Sequence, residues 1–514
     1  MSRLYIVLVA CYLSFCSFSS FASSIPNHLT ISIAAAPDTG FDPILGWGKF
    51  NNPLIQSSLL TRTGDIHFTG DLAAKWQLSD NRLVWTVNLK PNIKFSDGKP
   101  LTATDVVFTF NQAKHAVTLH DLTNLADVQA INPLTIQFTL KQPDITFIDN
   151  LANLAIVPKH AYGKEYGQHP IGSGPYQFVR WDKGQQLILK INPYYYGHKP
   201  EFKQLIFVFS GEDTRFAQLL AGQLDLAALP PRYALQLPAP YKLWRVQSVD
   251  NRGVAWPMVK SNGHNIGNDV TADPAIRQAA ELVINRAMLV DQLLDGYAQP
   301  AYSIADGLPW GISYPASKLT AAQKLQKAQA ILAKAGWQVK DGVLTKGKLQ
   351  AKLDLYYKSG DSIREQLALT VAQMLKPLGI QMTTHGESWE QISKVMHANP
   401  VLFGFGSHSA TEVLYTYHSR YQGQDFYNAG YYHNKVVDQA LDKAQQSTTW
   451  QQSLPYWQAA EKQIAQDHPW LWLVNLQHLY AANPCLDLAK PGIEPHGHGW
   501  PIVDNITDWR WTCH

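Results

Sequence analysis

The chain has 514 residues, 46% of them hydrophobic, which is enough for about three domains and a large core. Only 16% are charged, and 43 Lys and Arg against 40 Asp and Glu leave a formal net charge of +3 with no long run of one sign. That balance excludes the electrostatic footprint of a nucleic-acid binder and a polybasic membrane patch, and 16 Trp, 23 Tyr and 19 Phe exclude low-complexity disorder.

Arg3 precedes an apolar run over 4–18, and small residues follow at Ser20 and Ala22. This is the pattern of a cleavable secretory signal, expected over 1–22. The run is short and Ser-containing for a membrane anchor. A lipoprotein signal ending at Cys11 would have an apolar region of only about seven residues, the bottom of the 7–15 typical of a signal. No later stretch reaches the ~18 uncharged apolar residues of a membrane span. Cleavage removes Cys11 and Cys16, so Cys485 and Cys513 are expected to form one disulfide in an oxidising compartment.

In chain order, 30–34 reads as a strand, and 83–89 alternates apolar and polar residues as a half-buried strand does. Asp97-Gly98 marks a turn. Thr102 caps a helix through the apolar run 106–110, with Asp105 in its first turn. A strand follows at 134–140, a Gly/Pro turn at 171–176, and strands at 177–181, 187–191 and 204–209. Residues 214–221 read as a helix stopped by Gly222. The second half is helix-rich. The first long helix spans 273–294, with Asp273 as N-cap, Pro274 at N1 and Gly296 beyond its end. Another spans 320–336, ending at Gly336. A strand at 349–357, a helix at 363–378, Gly379, a strand at 380–384 and helices at 436–444 and 453–467 complete the reading. Alternating strands and helices predict an α/β protein, and the contrast between halves predicts two lobes with a ligand cleft between them.

Catalytic signatures are absent. There is no phosphate-cradling P-loop, no Gly-x-Ser-x-Gly elbow, no His-Glu-x-x-His and no Cys-x-x-Cys. Gly172-Ser173-Gly174-Pro175 reads as a turn. A large, exported, cleft-containing chain without such motifs is expected to bind rather than to catalyse. A secreted metal-dependent hydrolase using the histidines is the rival of a different class, and it would need a general acid or base placed by the metal.

His496 and His498 flank Gly497 and are followed by Gly499. Glycine allows close backbone approach and unusual φ, so both imidazoles can turn toward one ion, and neutral imidazole suits Ni²⁺, Cu²⁺, Zn²⁺ and Co²⁺. The same pair also suits a surface turn. Two histidines are too few for an octahedral shell, so a small chelator such as free histidine would supply the rest.

Three groups of motifs carry a resemblance. The first is Leu72-Ala-Ala-Lys-Trp-Gln-Leu-Ser-Asp followed by Leu89-Lys-Pro-Asn-Ile-Lys-Phe-Ser-Asp-Gly-Lys-Pro-Leu. The second is Ile171-Gly-Ser-Gly-Pro-Tyr-Gln-Phe with Asn192-Pro-Tyr-Tyr-Tyr-Gly-His-Lys-Pro. The third is Asp273-Pro-Ala-Ile-Arg-Gln-Ala with Asp295-Gly-Tyr-Ala-Gln-Pro-Ala. Together they resemble the peptide/nickel class (family 5) of solute-binding proteins that feed ABC importers. The resemblance implies a two-lobed periplasmic binding protein fold, class II-like with an enlarged lobe I, closing on its ligand by hinge motion. It implies lobe I at 23–255 plus 478–514 and lobe II at 256–477. It implies a periplasmic monomer that is not an enzyme, holds no cofactor, binds no nucleic acid and delivers its ligand to an inner-membrane permease.

Ligand choice follows the same resemblance. Peptide binders of the family hold the free amino group with an Asp in the segment corresponding to 404–413. That segment contains no Asp here, although Glu412 is placed to substitute. Gly406-Ser-His-Ser with Glu412-Val413, and the Pro495–Pro501 tail, resemble the nickel-binding branch. The expected cargo is therefore nickel, carried as a small chelate such as nickel-histidine. A di- or oligopeptide is the alternative. His496, His498 and His408 are the expected metal ligands. Arg364, at the start of a helix, is the expected carboxylate clamp or else a surface ion pair. Trp47, Trp389 and Trp500 are either apolar walls of the site or ordinary core.

Overall fold

A computed structural model of the chain describes residues 26–33, 37, 40–49, 54–64, 66–116, 120–315, 317–424, 426–497 and 500–513. The expected signal at 1–22 and His498 lie outside the described residues.

The first strand is His28–Ser32, whose Leu29 and Ile31 are fully buried. It lies parallel to Gln204–Val208 on one side and Leu226–Ala228 on the other. The sheet has seven strands, in the order Lys242–Val246, His478–Ala482, Leu226–Ala228, His28–Ser32, Gln204–Val208, Gln186–Ile191, Tyr176–Asp182. A four-stranded antiparallel sheet, Ala73–Leu78, Val84–Leu89, Thr135–Leu140 and Leu125–Asn132, packs against the helix Ala103–His115. Thr102 starts that helix as expected, in a capping box with Asp105.

The second half builds a six-stranded sheet, in the order Ala298–Pro300, Trp470–Leu476, Asn251–Ala255, Val401–Phe403, Lys352–Lys358, Gln381–Glu387. The strand Asn251–Ala255, placed with lobe I by the sequence reading, pairs in this second sheet. The chain passes between the sheets at 247–250 and at Gln477. Lys242–Val246 runs antiparallel to His478–Ala482, and Asn251–Ala255 runs antiparallel to Trp470–Leu476. One ribbon thus threads both sheets, and its two crossovers lie side by side.

Helices Ala321–Lys334 and Ser362–Leu375 cover the second sheet, capped by Thr320 and Asp361. The helix expected over 273–294 is interrupted. Pro274–Val283 ends where Ile284 turns to ψ 124°, and the Asn285 side chain caps a new helical segment by accepting from the Met288 N–H. The break directs Arg286 inward, where Nε donates to the Ala301 and Trp472 carbonyls at 2.7 and 2.9 Å and Nη2 pairs with Glu281 at 2.6 Å. Burying a guanidinium paired at Nε and Nη2 there outweighs the few tenths of a kcal/mol per residue of helix propensity lost. Cys485 and Cys513 form the expected disulfide, with Cα atoms 5.1 Å apart.

Candidate functional site

Three segments meet at the crossovers. Backbone hydrogen bonds tie the C-terminal segment to the first crossover: the Val249 N–H donates to the Glu494 carbonyl, and the Glu494 N–H to the Gln247 carbonyl. The His496 N–H donates to the Gly406 carbonyl at 2.7 Å, joining the tail to the 404–408 turn. Gly406 has φ +142°, and a Cβ there would fall 2.4 Å from the Val249 carbonyl oxygen. Only glycine lets the turn approach the crossover so closely.

Asp250, 3% exposed, is the hub. Its carboxylate accepts from Arg252 Nη1 at 2.5 Å, His496 Nδ1 at 2.5 Å and His478 Nε2 at 3.0 Å. Burial opposes its charge, but Arg252 and the two imidazoles outweigh burial and hold it well below the usual carboxylate range. The other nitrogen of His478 pairs with Glu494, which also accepts from the Tyr480 hydroxyl at 2.7 Å. Burial disfavours the His478 imidazolium, yet the hydrogen bonds it donates to Asp250 and Glu494 prevail and raise its pKa to about 9.

Arg364, 6% exposed, sits in the first turn of Ser362–Leu375, pairs with Asp361 and lies 5.5 Å above the Trp389 ring. Burial lowers its pKa, and the neighbouring Arg252 adds to that effect. Gly404 fits between these two guanidinium groups. The Glu412 carboxylate accepts from the Gly406 and Ser407 N–H groups at 3.1 and 2.8 Å and so braces the turn from within. Burial pushes its pKa to about 7 despite those bonds. His408 projects from the same turn. Burial, then the nearby Arg62, lowers its pKa to about 3, so it is neutral at any physiological pH, and its Nε2 is buried without a hydrogen-bond partner. Arg62 pairs with Asp149, which accepts from Ser409 Oγ at 2.5 Å.

The structure therefore brings His496, His408, Glu412 and Arg364 together around one turn. Trp389 stacks on Phe403 at 5.8 Å beside Arg364. Trp47 and Trp500 lie further off, in the core of the seven-stranded sheet, as an edge-to-face pair 5.0 Å apart. Trp500 also stacks on Phe207 at 4.4 Å and borders a cavity of about 230 Å³ shared with Asp250, Asp361 and His478. Among the described residues, no group of three or more His, Cys, Asp or Glu side chains is arranged to hold a metal ion. No helix among them is long and apolar enough to cross a membrane.

Asp250, Arg252, His478 and Glu494 were not anticipated. Asp250 and His496 are 246 residues apart, and no local pattern joins them. The available signal was polarity out of place: Asp250 precedes and Arg252 lies within one buried strand, and His478 opens another beside the apolar run Trp470–Leu476.

A second space opens between residues 113–150 and the helices of 411–446. It is a cavity of about 1240 Å³, with Tyr415, Tyr421 and Tyr427 on one wall and His120, Asp121 and Asp144 on the other. A small cavity of about 40 Å³, bordered by Ser407 and Glu412, shares His120, Asn150, Thr411, Tyr415 and Tyr427 with it.

The sequence model of the bacterial extracellular solute-binding proteins, family 5 (middle), matches residues 67–427. Protein XP55 of Streptomyces lividans is 33% identical over 475 residues, covering 88% of this chain and 84% of that protein. The crystal structure of NikZ from Campylobacter jejuni in complex with Ni(L-His) has a TM-score of 0.83 at 23% identity, covering 94% of this chain and 100% of that one. The oligopeptide-binding protein AppA from Bacillus subtilis, solved in complex with a nonapeptide, has a TM-score of 0.80 at 24% identity, covering 94% and 98%.

Proposed function

The chain belongs to family 5 of the bacterial extracellular solute-binding proteins, and from that premise we propose that it captures nickel as a small organic chelate outside the inner membrane and hands it to an ABC permease. Proteins of this family bind small ligands and deliver them to such permeases. The chain acts as an exported monomer, and its binding step involves no catalysis. Its lobes divide at the crossovers 247–250 and 477, earlier than the boundary after 255 expected from sequence.

One observation carries the nickel reading. The Asp250 carboxylate engages His496 Nδ1 at 2.5 Å, the arrangement by which proteins fix the tautomer of a metal-binding histidine and present Nε2. Neutral His408 stands on the adjoining turn. These side chains supply one or two donors, and the chelator supplies the remainder, as nickel's preference for imidazole and further nitrogen or oxygen ligands requires. The solved relative holding Ni(L-His) supports the same reading. A peptide cargo is the second reading, supported by the size of the 1240 Å³ cavity and by the peptide-bound relative.

Calorimetry with nickel plus L-histidine tests the proposal. His496→Ala and His408→Ala, singly and together, and His498→Ala should be compared with the parent. Losing an inner ligand should cost at least the ~10–100-fold that losing an outer-shell partner costs, and the bound nickel spectrum should change in at least one single variant. Parent affinity and spectrum in every variant would refute it.

A further inference from the structure

Glu461 lies in the helix Trp450–Asp467, is 0% exposed, and neither of its carboxyl oxygens has a hydrogen-bond partner. Nothing replaces the water that its charged form has lost, so the neutral acid is favoured there. The segment 302–314 covers it. Ser303 and Asp306 face it from the first part of that segment and Tyr314 from its end, and Tyr417 faces it from the helix Thr411–Tyr417. Behind Asp306, Arg286 is paired with Glu281. Lys462, the next residue of the helix that carries Glu461, is exposed. Burial pushes the Glu461 pKa up to about 8; the Ser303 hydroxyl opposes that rise and Asp306 adds to it. The covering segment has two sides. Ala305, Leu308 and Trp310 pack inward with Trp457 and Tyr417, whereas Tyr302 and Gly307 are exposed. Its hydrogen-bonded N–H groups from Tyr302 to Gly311 find their acceptors inside the segment: Tyr302 and Ser303 donate to Asp306, Ala305 to Ser303 Oγ, Leu308 to the Ala305 carbonyl and Gly311 to the Leu308 carbonyl. The segment can therefore lift as a unit without breaking a strand ladder.

We propose that Glu461 is a proton-operated latch on the segment 302–314: while it holds its proton the segment seals the second lobe, and when the proton passes to water in alkaline surroundings the segment opens to hydrate the carboxylate. Opening and ionisation reinforce each other, because the exposed acid returns to the ordinary Glu range near 4.3. The latch contribution is therefore complete below that range and is lost as pH rises through about 8. It sits under the Tyr417 end of the helix Thr411–Tyr417, whose other end carries Glu412 and the brace on the 404–408 turn. The switch is thus one helix away from the cleft, and it is independent of the cargo.

Amide hydrogen exchange of the ligand-free full chain, read by mass spectrometry at pH 6 and pH 9 and corrected for the intrinsic exchange rate, tests the latch. In the parent, protection over 302–311 should fall by about tenfold or more between the two pH values, the linkage of a carboxyl that titrates near 8 when covered and near 4.3 when exposed. Glu461→Gln keeps the shape of the neutral acid and cannot ionise, so its protection there should change little with pH. His478 also titrates in this range, but it is the same in both proteins and cancels in the comparison. Ser303→Ala removes the hydroxyl that opposes the rise, so opening should move to still higher pH; this variant decides the matter if Glu461→Gln does not fold. Equal pH dependence over 302–311 in the parent and Glu461→Gln, or no loss of protection there in the parent, overturns the latch. So does opening in Ser303→Ala at the same pH as the parent or lower.

Discussion

Replacing Asp250 by Asn leaves Arg252 and His478 buried without their shared counter-charge. Removing one partner of a buried ion pair costs about 3–5 kcal/mol, so Asp250→Asn should lower the urea midpoint and the extrapolated stability by an amount of that order. It should also weaken nickel binding by about 10–100-fold, because the His496 ring loses the acceptor that fixes its tautomer. His478 adds a pH signature. Its pKa is about 9 when folded, against an unfolded reference near 6.5. Its stabilising contribution is therefore complete below about pH 6.5 and is lost as pH rises through about 9. Urea titrations at pH 6 and pH 9.5 should show this decline in the parent, and His478→Gln should be less stable at pH 6 with a flatter profile. At this scale the sequence revealed the histidines with glycine around them, but not their acceptor. Glycine beside histidine is a local pattern, whereas Asp250 meets His496 only after two lobes and a C-terminal tail have folded together.

The C-terminal element that carries His496 is a loop of sequence separation 28 closed by Cys485–Cys513. In the loop-entropy account such a closure stabilises by about 3.5 kcal/mol, so Cys485→Ser/Cys513→Ser should unfold at correspondingly lower urea than the oxidised parent. Equal midpoints would show that the buried segment Pro501–Asp508 holds the tail without it. Most elements were legible, because local rules and tertiary structure agree: Thr102, Thr320 and Asp361 each begin a helix with a side-chain or capping-box bond, and Thr135–Leu140 alternates buried and half-buried residues. The helix over 273–294 was misread as continuous, since its apolar spacing persists past Asn285 and only the inward pull on Arg286 ends it. The strand Asn251–Ala255 was read as the end of lobe I and pairs instead in the six-stranded sheet, because a wholly buried strand looks alike in either sheet.

Across the whole molecule, the paired crossovers at 247–250 and 477 carry the chain between the seven- and six-stranded sheets, which makes them the proposed hinge, and polar contacts bridge the opposing walls of the cleft. Ser409 Oγ donates to Asp149, Arg82 Nη1 donates to the Gln446 carbonyl at 2.8 Å, and the Tyr421 hydroxyl donates to Asp121. The first is buried, the second exposed and the third half-buried, and each contributes about 0.5–3 kcal/mol net, more where a carboxylate accepts, so ligand should decide whether they persist. Small-angle scattering should give a smaller radius of gyration with nickel plus L-histidine than without, and identical curves at saturation would remove the hinge. The central claim concerns the cargo, and native mass spectrometry with elemental analysis of protein taken from its own compartment tests it most directly. The account predicts one nickel per chain together with the mass of an organic chelator. A metal-free chain carrying a peptide mass would contradict it.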